Sequence, residues 1–344
     1  MKKSTGLEIV VVATMLILAS TATSSSAELA SKFNVKPKTI GVLDIVRSSP
    51  IEQVTELAIN AAAKKLGWKV IAVDAKGDPQ VSAKTIQSFV NQHVDGIITL
   101  TVEAAAIRGG LTDAKKQGIP TCQATGQTDP SSLWTAQYEE NEAQLATTLA
   151  NYLIKTNPSA KVADLRQSLN LVGHSREAAM KAVLKGLVVA TTEPSLGDPG
   201  SAQKAVADVL NAHPEINSIY ATMDAWGGPA NAAIKAARST AKVYSFYTSP
   251  SNVAALKGST PYEAVVDTNI QKTALVCMDQ FLQYFQTGKA MDPNALIKAG
   301  GLKYNIVNRA NVTARVMVGT SGQFTNDNEL APFYAKWKKQ FGGN

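Results

Sequence analysis

Thr39-Ile-Gly-Val-Leu-Asp-Ile-Val46, Lys69-Val-Ile-Ala-Val-Asp74 and Asp95-Gly-Ile-Ile-Thr-Leu100 are short apolar runs separated by segments of helical spacing, and their reading decides the fold. The first run is apolar on both alternations, which suits a strand buried on both faces of a parallel sheet. Ile51, Val54, Leu57, Ala58, Ala61, Ala62 and Leu66 recur at three- and four-residue steps and so form one helical stripe, with Gly67 where the helix would stop. Beyond the break at Gly77-Asp78-Pro79, Val81, Ile86, Phe89 and Val90 form a second stripe. Parallel strands need crossovers of this length, so a βαβαβ layer is the economical arrangement.

Toward the N-terminus, Lys2 and Lys3 precede an apolar core from Ile9 to Leu18 and then small residues ending Ser25-Ser26-Ala27. This reads as a secretory signal peptide, residues 1–27, cleaved after Ala27: the core is short for a membrane anchor, and no cysteine near the cleavage region invites a lipid. The mature chain is expected to start at Glu28 and to be soluble outside the inner membrane. The 317 residues that remain of 344 exceed what one hydrophobic core usually serves, so two domains are expected. The charge of +7 falls to +6 once two lysines and a glutamate leave with the leader. Lysines and arginines are scattered rather than massed, which argues against nucleic acid as a partner. Lys336, Lys338 and Lys339 read as the solvated face of a helix.

Toward the C-terminus the pattern restarts after Asp129-Pro-Ser-Ser132. A helix is expected from about Asn141 to Lys155, and strands at Lys161 to Leu165, Ile216 to Ala221, Val243 to Phe246 and Ala264 to Val266. Further helices are expected at Arg176 to Ala190 and Ala202 to Ala212. Ile270 to Gln286 is a long amphipathic helix, with Ala274, Leu275, Met278, Phe281, Leu282 and Phe285 on one side and Gly288 at its end. The run Glu139-Glu140-Asn141-Glu142 reads as a solvated helix start, where acidic groups meet the positive end of the helix dipole.

Several kinds of chemistry lack a motif. His93, His174 and His213 are isolated, and no His or Cys pair has metal-ligand spacing, so no metal or other cofactor is expected. There is no phosphate loop, no Gly-x-Ser-x-Gly elbow and no Ser, His and Asp set in a recognisable context, so an enzyme is not expected. Cys122 and Cys277 fit either a disulfide of an exported protein or two small buried side chains.

The order Thr39-Ile-Gly-Val-Leu, Pro50, Lys65-Leu-Gly-Trp-Lys-Val-Ile-Ala-Val-Asp-Ala75, Gly77-Asp-Pro-Gln80, Val94-Asp-Gly-Ile-Ile98 and Ala114-Lys-Lys-Gln-Gly-Ile-Pro120 resembles the ribose-binding type of periplasmic substrate-binding protein. The resemblance continues through His213-Pro-Glu-Ile-Asn-Ser-Ile-Tyr-Ala-Thr-Met-Asp224 and Gln286-Thr-Gly-Lys289, and covers roughly residues 37 to 312. It implies an α/β fold of two Rossmann-like, doubly wound parallel-sheet lobes joined by three crossovers, with ligand in the cleft between them. The crossovers are expected near residues 127–136, 266–271 and 298–310. The first lobe would then hold 37–128 and 270–298, the second 129–269 and 299–318, with 319–344 a C-terminal extension. This places Cys122 and Cys277 in one lobe.

Ligand-binding positions follow from the resemblance residue by residue. Arg176, in His174-Ser-Arg-Glu-Ala-Ala-Met-Lys181, stands at the helix start where the family has an arginine that grips ligand hydroxyls or a carboxylate. Asp224 closes a Met-Asp that stands where the family has Asn-Asp, with a helix cap or a hinge as the plainer role. After the first strand the sequence departs from the family, offering Arg47-Ser-Ser-Pro-Ile-Glu52 where sugar-stacking aromatics are usual. Arg47, Ser48, Ser49 and Glu52 are therefore candidates for a more polar first wall. Thr125-Gly126 replaces an Asp-Arg pair, Tyr247 replaces a cleft aspartate, and the last polar position falls on Asp267 or Thr268. Trp134 and Tyr138, just past the first crossover, and Trp226, just after Asp224, are the aromatics expected to compensate. An alanine at 176 is expected to weaken ligand binding with little effect on the ligand-free protein's stability.

The implied function is the periplasmic solute-binding component of an ABC importer. It would bind a small polar ligand such as a sugar or polyol, act as a monomer and deliver its ligand to the transmembrane permease. Presentation of ligand to a chemoreceptor or histidine kinase is the alternative the resemblance leaves open. Beyond Val312 the family pattern gives no guidance. Ala314 to Val318 has the look of an extra strand. Phe333, Tyr334, Trp337 and Phe341 share a helical face suited either to docking on the first lobe or to a partner.

Overall fold

The computed structural model describes residues 33–195, 198, 200–312 and 327–342; the signal peptide and the candidate strand from Ala314 to Val318 lie outside the described residues. Five parallel strands, β1 (Thr39–Asp44), β2 (Lys69–Asp74), β3 (Gly96–Leu100), β4 (Thr121–Thr125) and β5 (Ala136–Glu139), build the first sheet in the order β2-β1-β3-β4-β5. Helices α1 (Pro50–Leu66), α2 (Pro79–Asn91) and α3 (Arg108–Lys116) supply its crossovers. Their ends follow local chemistry. Pro50 opens α1, and Gly67 closes it at φ 68°, a left-handed turn that glycine adopts without a Cβ clash. The Asp78 side chain caps α2 by accepting from the Gln80 and Val81 backbone N–H groups. Gly41 lies under α2 so closely that a Cβ there would stand 2.7 Å from the Phe89 ring.

The second sheet has six strands: β6 (Val162–Leu165), β7 (Val188–Thr192), β8 (Ser218–Ala221), β9 (Lys242–Phe246), β10 (Tyr262–Asp267) and β11 (Asn305–Asn308). Their order is β11-β10-β9-β8-β6-β7, all parallel except the edge strand β11. Helices α4 (Glu142–Thr156), α5 (Leu171–Leu184), α6 (Ser201–Ala212), α7 (Asp224–Ala236) and α8 (Pro250–Lys257) belong to this lobe. Helices α9 (Gln271–Thr287), α10 (Ala295–Lys298) and α11 (Asp327–Phe341) return to the first. Their Leu275, Phe281, Ala295, Leu330, Phe333 and Trp337 join the core that contains Ile40, Ile59 and Ile98. The chain is thus two doubly wound α/β lobes with interleaved sequence.

Three expectations change. The first crossing lies after Glu139 rather than at 127–136, because β5 adds to the first sheet beside β4; residues 129–139 therefore belong to the first lobe. A four-residue edge strand is too short to carry a periodic signal. The helix expected through Ala190 ends at Leu184, since Gly186 takes φ 69° and the β-branched run from Val188 enters the sheet as β7. Lys336 is not purely solvated: its Nζ donates to both Asp279 carboxylate oxygens at 2.9 and 2.7 Å. Trp337 beside it is fully buried and donates its indole N–H to Asp279 Oδ1 at 2.9 Å, so the apolar face of α11 is used in docking on the first lobe. Of the two readings of the cysteines, the disulfide is the one adopted: Cys122 on β4 is bonded to Cys277 on α9, with Cα atoms 5.9 Å apart.

Candidate ligand-binding cleft

The carboxyl ends of strands from both sheets converge on one cavity of about 50 Å³. From the first lobe come Ile45 and Val46 after β1, Ser49, Ile51 and Glu52 around the start of α1, Thr101 after β3, Gly126 after β4 and Glu140 after β5. The second lobe supplies Glu142 on α4, Asn170, Val172 and Arg176 around the start of α5, Met223 and Asp224 after β8, and Tyr247 after β9. The strand ends are bent sharply toward it. Thr101, Thr125 and Tyr247 all take positive φ, at 56°, 71° and 57°. A β-branched or aromatic residue there costs on the order of 1–3 kcal/mol. Local bonds hold these turns: Thr101 and Thr125 share a hydroxyl hydrogen bond of 2.7 Å, and Asn252 donates its side-chain amide to the Phe246 and Tyr247 carbonyls at 3.0 Å.

Arg176 is the organising cation. It is 2% exposed, donates Nε to Glu142 Oε2 at 2.7 Å, Nη1 to the Thr222 carbonyl at 2.7 Å and Nη2 to the Tyr247 hydroxyl at 2.5 Å, and stacks 4.2 Å from the Phe246 ring centre. The Tyr247 hydroxyl in turn donates to Glu140 Oε1 at 2.5 Å, and Arg176 Nη2 lies 3.8 Å from that same oxygen. Burial opposes the charge on Arg176, but Glu142, Tyr247 and Glu140 outweigh it and keep the guanidinium protonated.

The carboxyl groups are perturbed in the opposite sense. Burial pushes Glu52 up to about 8, assisted by the charge of Asp224 and resisted by the Thr101 hydroxyl that donates to Glu52 Oε1 at 2.8 Å. Burial likewise raises Asp224 to about 6 against the pull of Arg176, and it raises Glu140 well above the usual carboxylate range, with Glu142 adding to the effect. Within this wall Ser49 Oγ, Glu52 Oε2, Glu140 Oε2 and Asp224 Oδ2 are buried without a protein hydrogen-bond partner. An unsatisfied buried polar group costs about 1–3 kcal/mol, so these atoms favour an occupant that donates to them. Among the described residues no group of three or more His, Cys, Asp or Glu is arranged to hold a metal ion, and no helix is long and apolar enough to cross a membrane.

The cleft brings together Arg176, Asp224, Ser49, Glu52 and Tyr247 of the positions named from the sequence, and it leaves out the others. Arg47 is turned into its own lobe, where its guanidinium pairs with Asp44 at 2.8 Å and Glu56 at 2.7 Å. Thr125 is buried behind Thr101, while its neighbour Gly126 faces the cavity. Asp267 accepts from the Thr248 backbone N–H at 3.2 Å, fixing the turn after β9 instead of lining the wall. Trp134 packs with Leu43, Ile86 and Leu111 in a first-lobe core, and Trp226 is fully buried among Leu165, Val206 and Val265 in the second. Both follow strand ends in sequence, yet their rings point into the lobes that flank the cleft.

The sequence reading missed Thr101, Glu140, Glu142 and Asn170. The run Glu139 to Glu142 is not a solvated helix start: Glu140 is 4% exposed and Glu142 is fully buried. The helix-start signal was correct for α4, but the chain crosses between lobes at that point, which places both glutamates beside Arg176.

Two doubly wound lobes that close a polar cavity at their strand ends define the two-lobed binding-protein architecture. Residues 40–290 match the family described as periplasmic binding protein domain, and the chain belongs to that family. Among curated proteins it is 24% identical, over 194 residues, to the ribose import binding protein of Bacillus subtilis (strain 168). That match covers 56% of this chain and 63% of the relative, so it spans less than two thirds of the relative's length. Among solved structures, a Caulobacter myo-inositol binding protein bound to myo-inositol superposes with a TM-score of 0.72 at 18% identity, covering 80% of this chain and 95% of the other. An ABC sugar transporter subunit from Rhodobacter sphaeroides 2.4.1 superposes with a TM-score of 0.68 at 21% identity, covering 80% and 99%. These structural likenesses establish the fold.

Proposed function

We propose that this protein is a periplasmic receptor that binds a small polyhydroxylated ligand between its lobes and delivers it to the permease of an ABC importer, without chemistry on the ligand. The observation that carries this reading is the cavity at the strand ends, in which Glu52 and Ser49 of the first lobe face Asp224 and Arg176 of the second. A ligand that hydrogen-bonds to both walls stabilises the closed arrangement by its differential affinity for it, the physical basis of lobe closure. The names of its relatives support sugars and polyols as the class. The wall of Ile45, Val46, Ile51, Val172 and Met223 offers aliphatic contact in place of an aromatic platform, which favours a ligand other than ribose. Export by the N-terminal leader and release from the membrane after Ala27 belong to the same proposal.

A thermal-shift screen of sugars, polyols and small acids tests the reading, followed by uptake of the responding compound in cells with and without the gene. A rise in melting temperature with one sugar or polyol, and loss of its uptake on deletion, are expected. A panel without response, or unchanged uptake, would overturn it.

A further inference from the structure

The cleft has an imbalance of ionisable groups. Four carboxyl groups, Glu52, Glu140, Glu142 and Asp224, line it, and Arg176 is the single basic side chain among the described lining residues. That guanidinium is already engaged: Glu142 holds Nε at 2.7 Å, and Glu140 lies 3.8 Å from Nη2. Neither Glu52 nor Asp224 has an ion-pair partner within 4.0 Å among the described residues. They come from opposite lobes, are 3% and 2% exposed, and each leaves one oxygen without a partner. The Ser49 hydroxyl, 8% exposed, faces the same cavity with no partner at all. With no cation paired to them, burial leaves Glu52 holding its proton up to about pH 8 and Asp224 up to about pH 6, so the cleft keeps its charge low by protonation rather than by pairing. A neutral hydroxyl gives each carboxyl group a hydrogen-bond donor but no charge that would favour its ionised form. An ammonium group gives up to three N–H donors and an opposite charge, and bonds of that kind are about twice as strong as neutral ones.

We propose that the ligand of this cleft carries a protonated amine, as an amino sugar or aminopolyol does, and that Glu52 and Asp224 hold the ammonium from opposite lobes. The inference rests on the receptor reading above and narrows it to a ligand class. The amine is then the group that draws the lobes together, while hydroxyls of the same ligand meet Ser49 and Glu140.

The test is isothermal titration calorimetry on the mature chain with matched pairs: glucosamine against glucose, galactosamine against galactose, and an amino-inositol against myo-inositol, at a pH where each amine is charged. The expected result is that at least one amine binds about tenfold or more tighter than its neutral parent, a ratio reflecting one charge-assisted bond in place of a neutral one. Glu52→Gln is expected to bring that ratio close to one; Asp224→Asn serves as the independent variant where Glu52→Gln disturbs folding, as judged by near-UV circular dichroism. Neutral parents that bind as tightly as their amines would overturn the inference and leave the receptor reading standing. No binding by any member of either set would overturn both.

Discussion

Arg176 is held by more bonds than a ligand-gripping side chain needs. Its guanidinium contacts Glu142, the Thr222 carbonyl, Tyr247 and the Phe246 ring, so its removal strands buried carboxyls as well as any ligand. The sequence alone suggested an alanine that spares stability; with these contacts Arg176→Ala is expected to destabilise the ligand-free protein by about 3–5 kcal/mol, measured by urea denaturation. A second prediction concerns Glu52. Its carboxyl titrates near 4.5 when unfolded and at about 8 when folded, so the folded state holds the proton more tightly. Its favourable contribution is fully present below the unfolded value and is lost as pH rises through that window to about 8. Ligand-free stability should therefore fall across the window, and denaturation of Glu52→Gln at a series of pH values should give a shallower fall. Residue type was legible at these positions, but direction was not. Trp226 sits two residues into α7 and its ring is set by the packing of that helix on β8 and β9, which no sequence spacing reports.

At the scale of elements, the disulfide links β4 to α9 across 155 residues of chain. The loop it closes contains every strand of the second lobe from β6 to β10, so it pins the returning helix to the sheet it left. In the chain-entropy view, loss of such a cross-link costs about 2–5 kcal/mol. Reduction, or replacement of both cysteines by serine, should lower stability by that amount in denaturant titrations. The strands and helices between Thr39 and Lys116 were legible because parallel strands buried on both faces read as continuous apolar runs and their crossovers as amphipathic stripes. β5 was not legible. Its four residues alternate between buried and half-buried at a sheet edge and gain their identity only from pairing with β4. The acidic run after it was misread for the same reason: only the place where the chain changes lobe determines whether Glu140 and Glu142 meet water or Arg176.

For the whole molecule, the two lobes meet at a glycine. A Cβ on Gly126 of the first lobe would lie 2.9 Å from Thr101 Cγ2 and 2.9 Å from Val172 Cγ2, the latter in the second lobe. Gly126→Val should therefore hold the lobes apart and weaken ligand binding by about tenfold or more while leaving each lobe's core intact, since overpacking acts here at the interface. The two-lobed plan itself was readable from the sequence as repeated α/β alternation, whereas the exact walls of the cavity depended on how the lobes meet. The most direct measurement of the central claim is calorimetric titration of the wild-type protein and Gly126→Val with whichever sugar, polyol or amino sugar stabilises the wild type. The expected result is stabilisation of about 3 kcal/mol at about a hundredfold excess over Kd for the wild type, and affinity reduced about tenfold or more in the variant. Equal affinity in both proteins, or no response to any such compound, would contradict it.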